Sequence, residues 1–200
     1  MAIITANNQS MTAITSLPSG VSAGSLVLLA TETASSDGNL SFTSNIDDTY
    51  KEYIFKFYDI HPATDGAVFS FQVDTGTNTS YNIACTSTLS QAAHDEGDTS
   101  AAWGYQTGID QHQGTAFQRI GKMGNGNDEC SAGTLHLYDP SNTTFVKHFI
   151  ANVQSYHNED YTTQEFTAGY FNTTTALTRV QFKMDSGNID AGTIKMFGVV

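Results

Sequence analysis

Residues 49–74 carry the clearest hydrophobic pattern of the chain, an alternation of apolar positions with polar or weakly apolar ones. In the second half of this stretch the regularly spaced apolar side chains are Ala67, Phe69, Phe71 and Val73. Successive side chains of a strand point to opposite faces, so this period of two predicts a half-buried antiparallel strand and is incompatible with a helix.

The first half of the same stretch predicts another strand, with apolar residues on both faces. We expect one face to hold Tyr53, Phe55 and Phe57, and the other to hold Ile54, Lys56, Tyr58 and Ile60. Partial cover on both faces is typical of the inside of a sandwich. A Pro/Asp/Gly turn over residues 62–66 joins the two strands, which predicts a hairpin.

Further short segments with extended patterns follow along the chain, and the first of them, residues 25–32, predicts a buried strand. The others are residues 39–43, 81–88, 116–123, 133–139, 145–153, 165–171, 177–184 and 192–199. Roughly ten strands with no segment of helical period predict an all-β fold. We expect an antiparallel β-sandwich, jelly-roll-like, in one domain over residues 25–200. Residues 1–24 are polar and weakly patterned, which predicts an extended N-terminal arm.

Residues 89–115 interrupt the strand pattern and predict a long polar loop. This segment contains the only tryptophan of the chain, together with several acids and two histidines. Loops of this length in a compact domain are usually functional or disordered, so a candidate site is expected in this segment first.

The net charge of the chain limits the classes of binding partner that are expected. Twenty acidic residues against eight basic ones give a formal charge of −12, and no basic cluster is present. Neither a phosphate-binding groove nor attachment to an anionic membrane is expected of such a chain. The N-terminus has no basic start followed by an apolar core, so we expect synthesis in the cytoplasm without a signal peptide. The two cysteines, Cys85 and Cys130, form no C-x-x-C pair, and the sequence leaves open one disulfide or two free thiols.

Four side chains of the loop are candidates for cation binding, namely His94, Asp95, Glu96 and Asp98. Closely spaced oxygen donors suit a hard cation such as calcium. The alternative is a solvated acidic loop, which is the commoner role of such a cluster and the interpretation that we prefer. We therefore expect no cofactor, with calcium as the one ion to test.

A second candidate site in the loop combines aromatic rings with polar side chains, namely Trp103, Tyr105, Gln106 and His112. Flat apolar rings beside hydrogen-bonding groups are what a sugar site requires. The alternative is that Trp103 anchors the loop to the sandwich, a more frequent role for a lone tryptophan. No nucleophile elbow, phosphate-binding loop or H-E-x-x-H zinc motif is present, and we do not expect an enzyme. A polysaccharide hydrolase ranks last because the acids show no partner across a cleft.

Three blocks, residues 46–66, 131–151 and 180–199, together resemble a family of virion structural proteins common in marine tailed phages. The resemblance implies a place on the virion surface, as a capsid decoration or a tail-fibre-like module, and it implies no catalytic residues. Because no fibrous shaft is visible, a compact module is expected. The implied partners are copies of the chain itself, a trimer among the expected forms, and other virion proteins. The alternative function is host attachment, with the segment 89–115 binding a surface glycan.

Overall fold

The computed structural model of this chain describes residues 25–77 and 79–200, so the predicted N-terminal arm lies outside the described residues. These residues form strands and turns without a helix, and none of their segments is a helix able to span a membrane. The strands are β1 (Leu26–Thr33), β2 (Leu40–Phe42), β3 (Glu52–Pro62), β4 (Ala67–Asp74), β5 (Cys85–Asp95), β6 (Ala101–Tyr105), β7 (His112–Gly114), β8 (Gln118–Met123), β9 (Ser131–Tyr138), β10 (Lys147–His157), β11 (Tyr161–Phe171), β12 (Arg179–Met184) and β13 (Ile189–Val199).

The strands form two antiparallel sheets. The large sheet has the order β1-β13-β3-β9-β10-β11-β5-β6, with β7 also paired to β5, and the small sheet has the order β2-β12-β4-β8. One face of the large sheet packs against the small sheet. The predicted antiparallel β-sandwich is therefore confirmed, whereas the jelly-roll connectivity stays a prediction.

The core between the sheets is a cluster of aromatic rings centred on Phe182 of β12. Its ring centroid lies 5.3 to 6.2 Å from those of five other phenylalanines, Phe42, Phe55, Phe57, Phe69 and Phe71. Most of these pairs are edge-to-face or tilted, an arrangement that aromatic rings favour beyond their simple burial. The predicted inward faces of β3 and β4 are thus confirmed.

The predicted hairpin of residues 49–74 is wrong. Strand β3 pairs with β13 and β9 in the large sheet, whereas β4 pairs with β12 and β8 in the small sheet. The turn between them carries the chain across the sandwich from one sheet to the other. Both strands bury the same kind of aromatic face, which is why their patterns look like those of two hairpin partners.

Ile60 is the one residue of β3 that the alternation assigned to the wrong face. The pairing register shifts between Phe57 and Ile60, and Asp59 adopts a left-handed backbone with a φ of 51°. Such a bulge inserts one extra residue, so Ile60 turns inward and is fully buried. Gly192 of β13 lies against this bulge with a φ of 120°.

Two predictions of burial also need correction. Strand β1 was expected to be buried, but it is an edge strand, and Leu28 is 53% exposed. Strand β4 was expected to be half-buried, yet its polar residues Ser70, Gln72 and Asp74 are buried as well. The amide of Gln72 donates to the carbonyl oxygens of Ile83 and Ala116, at 3.1 and 3.0 Å, because neighbouring loops cover this face.

The long polar loop predicted at residues 89–115 is also wrong. Strand β5 continues to Asp95, a tight turn leads into β6, and β7 follows. Residues 89–95 contain Ser, Gln, Ala and His, which have little intrinsic preference for strands, so the pattern conceals the strand. Full pairing with β11 on one side and with β6 on the other holds it extended.

Candidate functional site

The outer face of the large sheet, opposite the small sheet, is the main candidate site. No strand of residues 25–77 and 79–200 packs on this face. Nine large hydrophobic side chains are exposed in the described part of the chain, and the strand registers put seven of them here, which makes this face the first candidate for a binding surface. They are Leu26, Leu28, Tyr58, Trp103, Tyr105, Ile150 and Phe166.

The registers define a mainly apolar row, which we call the apolar row, that crosses seven strands of the outer face and has Thr88 and His136 as its two polar members. Each member is the direct pairing partner of the next, so all side chains point to the same side. In order, the row is Thr88, Ala168, Ile150, His136, Ile54, Phe197 and Leu28. With neighbouring strands about 4.8 Å apart, the apolar row is about 29 Å long. Ile150, the third of the seven members, is 50% exposed.

Beside the apolar row, at the β6 edge, the registers place a strip of small residues between two rows of larger ones, which we call the aromatic trough. Its floor is formed by Ser90 and Ala92 of β5, which pair with Tyr105 and Trp103 on one side and with Phe166 and Gln164 on the other. Small residues therefore separate two walls of large ones. The walls stand two strand spacings apart, about 10 Å.

The two aromatic side chains of β6 are presented to solvent but are not equally free. Trp103 is 75% exposed and Tyr105 is 51% exposed. The hydroxyl of Tyr105 donates to Asp110 Oδ2 at 2.5 Å, which raises the pKa of Tyr105 and lowers the pKa of Asp110. This hydrogen bond holds the phenol ring in place along the trough wall.

The opposite wall supplies oriented polar groups. Gln164 donates its side-chain amide to Asn152 Oδ1 at 3.0 Å, and Gln154 donates to Thr162 Oγ1 at 3.2 Å. Sequence reasoning missed Gln164 and Phe166, although they lie in the alternating pattern of β11. Nothing along the chain indicates that β11 is the neighbour of β5, so their proximity to Trp103 emerges only from the sheet pairing.

Only two of the four residues predicted for a sugar site lie in the aromatic trough. Gln106 follows the end of β6, where its backbone N–H donates to the carbonyl oxygen of Leu89 at 2.9 Å. His112 is opposite Thr86, six residues along β5 from Ala92, a distance of about 20 Å. The trough thus combines Trp103 and Tyr105 with Gln164 and Phe166 instead.

The four predicted cation ligands lie at the end of β5 and in the turn that leads to β6, where they point to different partners. Asp95 accepts from Thr99 and Ser100 in the turn itself, chiefly through the Thr99 hydroxyl, which lowers the pKa of Asp95. His94 Nε2 lies 3.3 Å from the largely exposed Asp98. No group of three such ligands converges anywhere in the described residues, so the predicted cation site is not assembled.

The remaining member of that set, Glu96, lines a cavity at the end of the aromatic trough. This cavity has a volume of about 390 Å³ and is lined mainly by His94, Glu96, Asp128, Gln154, Tyr156 and Thr162. Tyr156 donates its hydroxyl to Glu96, which raises the pKa of Tyr156 to about 12. The cavity continues the trough because Thr162 and His94 pair one step beyond Gln164 and Ala92.

A buried ion pair supports the trough from the inner face of the sheet. Glu165 of β11 is fully buried, and Arg119 of β8 donates from Nε to both of its carboxylate oxygens at 3.0 Å. Gln91, which lies between the two floor residues, donates to the same carboxylate at 3.1 Å. These contacts hold β5 and β11 against the small sheet directly beneath the trough.

The question of the cysteines is settled by their positions. Both are free thiols. Cys85 is buried in the core, where desolvation raises its pKa to about 12. Cys130 is half-buried beside the cavity, and burial, followed by the charge of Asp59, raises its pKa.

Comparison of this chain with protein-family models, with curated proteins and with solved structures found no match.

Proposed function

We propose that this chain is a non-enzymatic structural protein of a tailed-phage virion, displayed on the particle surface as a capsid decoration or as a fibre or spike module. The resemblance of three sequence blocks to such proteins supports the place on the virion. The apolar row supports the assembly role, because it presents aligned apolar side chains across most of one sheet.

The chemistry of the apolar row fits contact with another protein subunit. Ile150 and Leu28 are each about half exposed, and His136, Ile54 and Phe197 lie between them. A flat apolar surface of this kind is suited to a homo-oligomer, in which a symmetric contact lets the same patch meet itself. The net charge of −12 opposes contact between the charged parts of two copies, so an uncharged patch is the favoured contact.

The assembly role is tested by the double variant Ile150→Ser, Leu28→Ser. We expect the wild-type chain to sediment as an oligomer and the variant as a monomer, because the variant loses apolar area inside the row and at one end of it. Both side chains are about half exposed in the single chain, so the variant should keep the fold, checked by its circular dichroism spectrum. The matched control is Phe145→Ser, which removes a 68% exposed aromatic ring from the loop before β10.

A wild-type chain that is monomeric at every concentration, or a double variant that stays oligomeric, would contradict the assembly role. The virion assignment has a separate test. Antibodies raised against the purified chain should label intact particles of the phage that encodes it. Absence of the chain from purified particles would overturn the assignment whatever its oligomeric state.

A further inference from the structure

We propose that the aromatic trough is a binding site for an extended neutral polysaccharide. This inference concerns a different part of the outer face from the apolar row and does not depend on the assembly role. The juxtaposition that carries it is a floor of Ser90 and Ala92 between the rings of Trp103 and Tyr105 and the opposite wall of Gln164 and Phe166.

The trough has the shape that a sugar chain requires. The floor is low because Ser90 and Ala92 project little above the sheet, while the walls are about 10 Å apart. A pyranose ring fits between walls at this separation. The cavity lined by Tyr156 and Thr162 prolongs the path, so a chain of several sugar units has room beyond the trough itself.

The side chains match the two kinds of surface that a sugar presents. The exposed indole of Trp103 and the ring of Phe166, 43% exposed, offer flat faces for the C–H side of a pyranose. Gln164 and Gln154 offer amide groups for hydroxyls, and their bonds to Asn152 and Thr162 hold them in place before a ligand arrives. Oriented partners reduce the entropy lost on binding.

The charged residues around the trough favour a neutral glycan over an anionic one. The walls and floor of the trough contain no lysine or arginine, and Asp110, Asp98 and Glu96 lie at its edges. An anionic polysaccharide would be repelled by these carboxylates, whereas a neutral one loses nothing to them. The proposal therefore specifies a neutral ligand. An extended peptide would instead pair with the free edge of β6, beside the trough rather than above its floor.

The test is electrophoresis of the full chain in gels containing soluble polysaccharides. The neutral probes are a mixed-linkage β-glucan, a galactomannan and a dextran, and the acidic probe is alginate. We expect at least one neutral probe to retard the wild-type chain and alginate to have no effect. Trp103→Ala should weaken the retardation by at least about tenfold in affinity, as expected for an aromatic residue at the centre of a binding site.

Two further variants distinguish binding at the trough from loss of the fold and from non-specific binding to exposed aromatic rings. Ala92→Met raises the floor without removing an aromatic ring, and it should also abolish retardation. Phe145→Ala removes an exposed ring outside the trough and should leave retardation unchanged. The melting temperature of each variant is measured first, and binding is compared among variants that melt at the temperature of the wild type.

The proposal is overturned if no neutral probe retards the wild-type chain, or if Trp103→Ala and Ala92→Met bind as it does. It is equally overturned if Phe145→Ala loses as much binding as Trp103→Ala. Dissociation of the oligomer by Trp103→Ala alone would identify the trough as a subunit contact instead.

Discussion

At the scale of single residues, the buried ion pair of Arg119 and Glu165 is the feature whose disruption should cost the most free energy of folding. A carboxylate with no exposed surface is tolerated because it receives hydrogen bonds from both Arg119 and Gln91. Removal of one partner leaves the other charged and largely out of water, which costs more than the pair contributes when complete.

Glu165→Gln should therefore lower the free energy of unfolding by about 3–5 kcal/mol, measured by urea denaturation. The control is Lys51→Ala, which breaks an ion pair with Asp139 in which the lysine side chain is 76% exposed, and should cost at most about 1 kcal/mol. The double variant Arg119→Leu, Glu165→Leu should recover much of the loss, because no unpaired charge remains. Equal effects of Glu165→Gln and Lys51→Ala would contradict this account.

At the scale of elements, the bulge in β3 decides which side chains reach the core at that end of the sandwich. The bulge is held by the close approach of Gly192 on β13. A Cβ atom at position 192 would lie 2.7 Å from the carbonyl oxygen of Asp59 and 2.8 Å from Ile60 Cα, both backbone atoms. Because backbone cannot move aside as a side chain can, only glycine fits here.

Gly192→Ala should consequently destabilise the fold by about 1–3 kcal/mol, the range expected for a strained backbone position, and lower the melting temperature. Gly104→Ala in β6 is the matched control, since its added methyl group meets no atom within 4 Å. We expect this control to melt within a degree or so of the wild type, given that exposed substitutions rarely exceed about 0.5 kcal/mol. A smaller effect at Gly192 than at Gly104 would show that the bulge is not constrained.

The elements also show which parts of the fold and the site are predictable from sequence. Alternation identifies the buried faces of β3 and β4 because aromatic residues repeat there without interruption. The same alternation fails at Ile60, where an inserted residue reverses the faces, and at β5, whose small polar residues look like a loop. Trp103 can be recognised as a candidate from its side chain alone. Gln164 lies about 60 residues further along the chain, and only the pairing of both residues with Ala92 places it opposite Trp103.

At the scale of the whole molecule, a formal charge of −12 opposes the association that the apolar row favours. Bringing two copies together increases the density of negative charge on both. Salt screens this repulsion over a Debye length of about 10 Å at 0.1 M ionic strength, and it strengthens rather than weakens apolar contact.

The association constant of the wild-type chain should accordingly rise between low and moderate salt, measured by sedimentation equilibrium. The double variant Ile150→Ser, Leu28→Ser should stay monomeric across the same range. A fall in association with added salt would contradict the apolar contact, and would instead indicate attraction between acidic residues and the half-buried lysines Lys56 of β3 and Lys195 of β13.

The position of β13 in the large sheet has a consequence for how the chain is made. Residues 189–199 lie between β1 and β3, the first and third strands of the described residues, and hydrogen-bond to both. Until these residues leave the ribosome, β1 has no partner in this sheet and β3 keeps one open edge. Closure of the large sheet thus follows translation of residues 189–199, and β1 and β3 keep unpaired edges while the chain between them and β13 is made.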